Sequence, residues 1–325
     1  MDKIANLSSY YVSVAHNGQS CIIVGGSIII YNFRSECIIN KITSIRYPHY
    51  ACFSSTDEHF AIKNSDGRIF LFDDNKKVNA FTPSKKQGSN IVFAPDNKIL
   101  SGDWDGDLHV INLQTGSVNT ILSLDGCMIT SIYHNKHLKV YMVSVKRKSS
   151  AESYLYMIDD LTLTPVSKTI FHETMSVNYA IYNQVFSKYA ILKGLDNLFD
   201  FMDESFNHMN YELQYQIRDA RTHKAIIGRS FANCKEIDYS KYNLHERMAD
   251  IDWTKDGKVL FVTYQNLLKL GKESLIIAID ANTSNVISTI EFDGLYSCKL
   301  AQDDRILVIG TMNGCYMSNI DELLG

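Results

Sequence analysis

Leu100 to Gly116 reads LSGDWDGDLHVINLQTG, and the fold follows from it. Leu100 to Gly102 end one apolar run, and Asp105-Gly106 suits a two-residue hairpin turn, where positive φ costs glycine nothing and aspartate little. Beyond the turn Leu108, Val110 and Leu113 are apolar while Asp107, His109 and Asn112 are polar, the period of a half-buried strand. Thr115-Gly116 opens the next turn. A lone hairpin is marginal in water, so this one needs copies of itself to lean on.

The copies are present. A first unit starts near Tyr10, turns at Asn17-Gly18 and continues through CIIVGG, SIIIYNF and ECIINKI. The second has ACFSS, HFAIKN, Asp66-Gly67, RIFLFDD and KVNAFT; the third has NIVFA, KILSGDW, DLHVIN and SVNTIL. These two align from Cys52 and Ile91 up to Gly67 and Gly106 without a gap. A fourth unit runs from MITSIYH to PVSKTI, a fifth from SVNYAIY to AIIGRSF, and a sixth from MADIDW to VISTIEF. The seventh, YSCKLA, RILVIG and CYMSNI, has no fourth strand, and Lys3 to Ser8 have no unit of their own. An N-terminal strand that completes the last unit closes a ring and removes two exposed edges.

With 325 residues, 45% hydrophobic, 21% charged and 11% aromatic, the chain has the composition of a globular protein rich in strand formers. A net charge of -4 supplies no general field for nucleic acid or anionic lipid. No stretch has the length of a signal peptide's apolar run or of a membrane span. The seven cysteines are odd in number and lack any CxxC pair, and Cys21, Cys52 and Cys298 fall inside strand-like runs. The expectation is a reduced, cytoplasmic protein.

SGDWDGDLHVINLQTG resembles the end of a WD-repeat unit, and FAPDNK, WTKDGK and AQDDR resemble that family's turn between its first two strands. The resemblance covers essentially the whole chain. It implies an all-β, seven-bladed β-propeller of four-stranded antiparallel blades over residues 1–325, a single domain closed by the N-terminal strand; six or eight blades stay open, because the fifth unit can be cut differently. Two features depart from the family pattern: no third strand ends in Trp-Asp, and no unit opens with Gly-His. Asp66 and Asp105 then keep only the turn-holding part of its hydrogen-bonded tetrad.

In such a blade the link between strands two and three and the link between blades open on one face. Long links at Ser144 to Ser153, Leu195 to Asn210, Ala232 to Arg247 and Gln265 to Ser274 all fall there, where a rigid scaffold usually carries binding; random drift in loop length is the bland alternative. Trp104, between Asp103 and Asp105, reads as a partner anchor or as local packing. Lys146-Arg147-Lys148 reads as a contact for an acidic group or as a solvated loop. Phe199 and Phe201 alternate with Asp200 as an added strand or an apolar tip. His134 and His137 form the only close histidine pair, and without a cysteine or carboxylate beside them they read as an exposed turn. Asp73-Asp74 and Asp159-Asp160 end third strands, where aspartate bonds its own turn.

No GxSxG, Walker A or HExxH motif occurs. The resulting expectation is an interaction scaffold for a protein or peptide, with no cofactor, metal, nucleic acid or membrane. Its contacts are Asp103, Trp104, Lys146, Arg147, Lys148, Phe199 and Phe201. The rival is a propeller hydrolase or lyase with its site at the mouth of the central channel; inner strands that offer mainly apolar and small residues weigh against it.

Overall fold

The computed structural model describes residues 1–149, 152–171, 176–183, 188–194, 214–230, 235–237, 246–266 and 274–324. Strand β1 (Asp2–Ala5) comes first. Blade 1 is β2 to β5: Ser9–Val14, Ser20–Gly25, Ile28–Asn32 and Cys37–Ile42. Blade 2 is β6 to β9: Pro48–Phe53, His59–Asn64, Ile69–Asp73 and Lys76–Phe81. Blade 3 is β10 to β13: Ile91–Ala94, Lys98–Gly102, Asp107–Asn112 and Val118–Ser123. Blade 4 is β14 to β17: Cys127–Asn135, Val140–Arg147, Ser153–Asp159 and Pro165–Phe171. Blade 5 is β18 to β21: Ser176–Asn183, Lys188–Gly194, Gln214–Asp219 and Ala225–Ser230. Blade 6 is β22 to β25: Glu246–Trp253, Val259–Asn266, Ser274–Asp280 and Val286–Phe292. Blade 7 is β26 to β28, Leu295–Ala301, Ile306–Thr311 and Gly314–Asn319, completed by β1, which pairs with β28. A short helix α1 (Ile320–Leu324) follows. No described helix is long and apolar enough to cross a membrane.

These are seven four-stranded antiparallel sheets in one ring, and the first strands of successive blades touch all the way round, so they line the axis. The closing strand starts at Asp2 rather than Lys3 and ends at Ala5 rather than Ser8. Blade faces stack on each other: Ile22, Ile30, Phe53, Phe60 and Phe72 share one core between blades 1 and 2. The middle strands are therefore covered on both sides, and β12 buries His109 along with Leu108 and Val110, not one face as the alternation suggests. Burying an aliphatic or Phe side chain contributes roughly 1.5–3 kcal/mol, so these interfaces hold the ring.

The second and third units share their middle hairpin residue for residue: His59 pairs with Asp73 as Lys98 with Asn112, and Lys63 with Ile69 as Gly102 with Leu108. The gapless alignment fails at the first turn. Phe53 pairs with Phe60 but Phe93 with Ile99, so blade 3 has one residue fewer between its first two strands.

An extra residue interrupts the outer ladder of every blade. Ile30 pairs with Asn40 and Tyr31 with Ile38, which leaves Ile39 unopposed. Val78, Val166, Ile226 and Ile287 hold the same position in blades 2, 4, 5 and 6, while Ile121 and Ile4 interrupt the outer ladder nearer its other end in blades 3 and 7. A bulge twists an edge away from a foreign strand, so each open edge carries its own guard. In blades 3 to 6 the turn into the outer strand is held by the Asp or Asn that ends the third strand: Asn112, Asp159, Asp219 and Asp280 each accept two following backbone N–H groups at 2.7–3.1 Å, whereas the blade 2 turn at Asp74-Asn75 is a two-residue one in which both residues have positive φ and Asp73 faces His59.

Candidate functional site

The inner strands also bulge, near the end that opens on the face carrying the long links. Ser9 pairs with Gly25 and Tyr11 with Val24, so Tyr10 has no partner across the ladder. His49, Thr130 and Tyr296 stand alike in blades 2, 4 and 7, and the register slips in the same way at Asn178 and Ala249. A bulge re-aims its extra side chain. Tyr10 and Tyr296, from adjacent blades, meet edge to face at 5.6 Å. Tyr11 packs on Tyr50 at 5.2 Å and Tyr50 on His49 at 4.4 Å. Gln87 donates its amide Nε2–H to His49 Nε2 at 2.9 Å, and the Gln87 carbonyl accepts the Trp104 backbone N–H at 2.9 Å. An aromatic arc thus runs from blade 7 through blades 1 and 2 to the Trp104 turn of blade 3. Burial raises the Tyr296 phenol, and the neighbouring Tyr10 adds to the shift.

The Trp104 turn is built on Asp103, two residues before the expected holder Asp105. Asp103 Oδ1 accepts the N–H of Asp105 at 2.9 Å and of Asp107 at 3.0 Å, and Oδ2 accepts His109 Nε2–H at 3.1 Å. His109 Nδ1 then faces Thr120 Oγ1 at 3.1 Å, and Gly106 closes the turn at φ +91°. Burial pushes the Asp103 carboxyl up, but the bonds from His109, the Asp107 N–H and Ser84 outweigh it and hold it well below the usual carboxylate range. Asp103, Asp107 and His109 bring their ligand atoms within 4.8 Å of one another. The turn's own hydrogen bonds, from the Asp107 N–H to Asp103 Oδ1 and from His109 Nε2 to Asp103 Oδ2, draw these three residues together.

In blade 2 the equivalent holder is Asn64, again two residues ahead of the expected Asp66. It accepts the Arg68 N–H at 2.9 Å and donates to the Arg46 carbonyl at 3.2 Å. The residue corresponding to Trp104 is Ser65. The turn therefore forms without an aromatic ring, and Trp104 is 43% exposed.

The other expected contacts divide. Asp103 is buried beneath the turn. The strand β15 runs on through Lys146, which pairs with Met128 and Ser153, and Arg147, which pairs with Cys127, so half of the expected link from Ser144 to Ser153 is strand. Lys146 is buried. Arg147 is half-exposed and holds Glu152 at 3.3 Å, while Lys148 stands 3.7 Å from Asp105 and so ties the blade 4 link to the Trp104 turn. Phe199 and Phe201, like Leu195 to Asn210 and most of Ala232 to Arg247, lie outside the described residues. On the opposite face His134 bonds Asp160 at 3.0 Å and stacks on Tyr141 at 4.5 Å.

Three charged inner-strand groups stand out from the apolar lining expected of the channel. Lys299 of β26 donates to Asp250 Oδ1 at 2.8 Å and to the Ile251 carbonyl at 3.2 Å, and Asp252 accepts the Leu300 N–H at 2.8 Å. Burial raises both carboxyls and Lys299 pulls them back; against its own desolvation, the two carboxylates keep Lys299 protonated. They stitch the inner edges of blades 6 and 7. The Asp-x-Asp of MADIDW was their visible signal. Asn90 does the same between blades 3 and 4, exchanging two 2.8 Å bonds with the backbone of Ile132.

No family model matches this sequence, and no curated protein does. The fold is widely shared, with 1540 matching chains among solved structures. One is a chain of Kuenenia stuttgartiensis hydrazine synthase, at TM-score 0.77 and 10% identity, with 96% of this chain and 95% of that chain covered. The likeness defines the class: a seven-bladed β-propeller. At that identity it carries shape and not activity.

Proposed function

We propose that this chain is a protein- or peptide-binding scaffold that works through the face holding the Trp104 turn and the bulged mouth of the channel. The observation that carries the reading is the contrast of Trp104 with Ser65: one turn geometry, one solvent-exposed indole that the turn does not need. An exposed Trp beside Lys148 and a Tyr-rich rim has the make-up of an interface centre. Within the propellers the reading is of a divergent WD-like chain, one domain over residues 1–325, in the reducing cytoplasm; the six described cysteines carry free thiols. What favours binding over a hydrolase or lyase at the channel mouth is that Asp250, Asp252 and Lys299 spend their hydrogen bonds on the neighbouring blade.

Affinity capture with the native chain and with Trp104→Ala tests this. The expected result is a partner held by the native face and weakened about ten-fold or more by the substitution. A partner held equally by both, or a metal-dependent hydrolysis lost on His134→Ala, overturns it.

A further inference from the structure

The opposite face carries a groove between blades 1 and 2, of about 440 Å³, which the reading above leaves unused. Its floor is apolar: Phe53, Phe60 and the bulged Ile39, which stands 49% exposed. Its rim is acidic: Asp57 and Glu58 from the first turn of blade 2, Asp73 and Asp74 from the third, with no Lys or Arg among the lining residues. His59 is the one basic group there, 3.4 Å from Asp73. The His16 and Asn17 backbone N–H groups fix the Asp57 carboxylate at 2.8 and 2.9 Å, which pins the blade 2 turn to blade 1 and keeps the inner wall in place. A shallower groove on blade 5 also holds its bulged residue, Ile226, but its charged lining group is Arg229 and it has no carboxylate. A bulged isoleucine is thus shared by these two grooves, and the acid rim distinguishes the one between blades 1 and 2.

We propose that this groove docks an extended basic segment of a partner protein, with one apolar side chain on Ile39, Phe53 and Phe60 and Lys or Arg side chains two residues to either side meeting Glu58, Asp73 and Asp74. Charge complementarity selects that occupant: four carboxylates around an apolar floor attract cations and repel acidic chains. The spacing follows from strand geometry, since residues two apart share a face and lie about 6.8 Å apart.

Three fluorescein-labelled peptides test it by anisotropy: Arg-Ser-Leu-Ser-Arg, Glu-Ser-Leu-Ser-Glu and Arg-Ser-Ser-Ser-Arg. The expected order is Arg-Ser-Leu-Ser-Arg tightest, the peptide without Leu at least five-fold weaker, and the Glu peptide unbound, with binding falling as salt rises. The double variant Glu58→Lys, Asp74→Lys loses at least ten-fold, and Ile39→Ser, on the exposed outer strand, at least five-fold. Trp104→Ala, on the other face, leaves all three unchanged. Equal binding of the Arg and Glu peptides, indifference to both variants, or no binding of any peptide at millimolar concentration overturns the proposal.

Discussion

Where blade 2 has Lys63, blade 3 has Gly102, and the first reaches across to the second: Lys63 Nζ donates to the Gly102 carbonyl at 2.7 Å and to the Ser89 carbonyl at 3.0 Å. A side chain at this position points into the next blade. From blade 2 it enters a polar slot under the Trp104 turn; from blade 3 it would enter the space that Ile129 fills, where an added Cβ comes 2.4 Å from Ile129 Cγ2. One backbone frame thus tolerates a buried ammonium in one copy and no side chain in the next. The neighbour, and not the hairpin, dictates the residue. The turns repeat the lesson, with Asn64 against Asp103 as holder and Ser65 against Trp104 as the outward group.

The largest break comes at Gly102. Gly102→Val forces overpacking against Ile129 and should destabilise by about 3 kcal/mol; an unchanged melting temperature would mean blades 3 and 4 separate freely. Next is the pair of holders. Asp103→Ala removes an ionised acceptor of three hydrogen bonds and should cost about 2–3 kcal/mol, whereas Asn64→Ala should cost about 1 kcal/mol. Because Asp103 has its folded-state carboxyl below the unfolded value, its contribution is present above the ordinary carboxylate range and disappears as pH falls through the folded value. The penalty of Asp103→Ala, read by denaturant melts, should therefore shrink in acid.

Lys63 gives a signal of the same sign in a higher pH window. Burial lowers its ammonium to about 7, with Asp103 offsetting part of the shift. The unfolded chain keeps the ordinary value near 10.4, so between about pH 7 and 10 the unfolded state binds the extra proton and native stability rises with pH. From pH 7 to 9 the wild type should gain about 2 kcal/mol relative to Lys63→Met, and below pH 7 the difference should level off. Parallel pH profiles for the two proteins would place Lys63 in water.

How much of this was legible varies with the range of the interaction that decides it. The strands and Gly67 and Gly106 turns show in the sequence because alternation and turn chemistry are local. The Asp or Asn that ends the third strand, as in INLQT, IDDLT and IDANT, was legible too. Asn64 and Asp103 were missed in favour of Asp66 and Asp105, since all four suit a turn and only the three-dimensional bonds choose between them. Lys146 and Arg147 read as loop because VSVKRKSS is polar at its end, yet distant Met128 and Ser153 carry the strand onward. Tyr10, His49, Thr130 and Tyr296 were invisible as a set, because a bulge leaves only a slip in alternation.

The smallest stability effect belongs to the residue with the largest assigned role. Trp104→Ala should change stability by no more than about 0.5 kcal/mol, as Ser65 already fills the same place in blade 2. The chain has two tryptophans, and the other, Trp253, is buried, so Trp253→Phe leaves Trp104 as the single reporter of the working face. Titrating the captured partner into that variant, at matched folding by circular dichroism, should move the Trp104 emission to shorter wavelength and shield it from iodide. A partner that binds at full affinity while the emission and the quenching stay as they are in the free protein would contradict the assignment of this face.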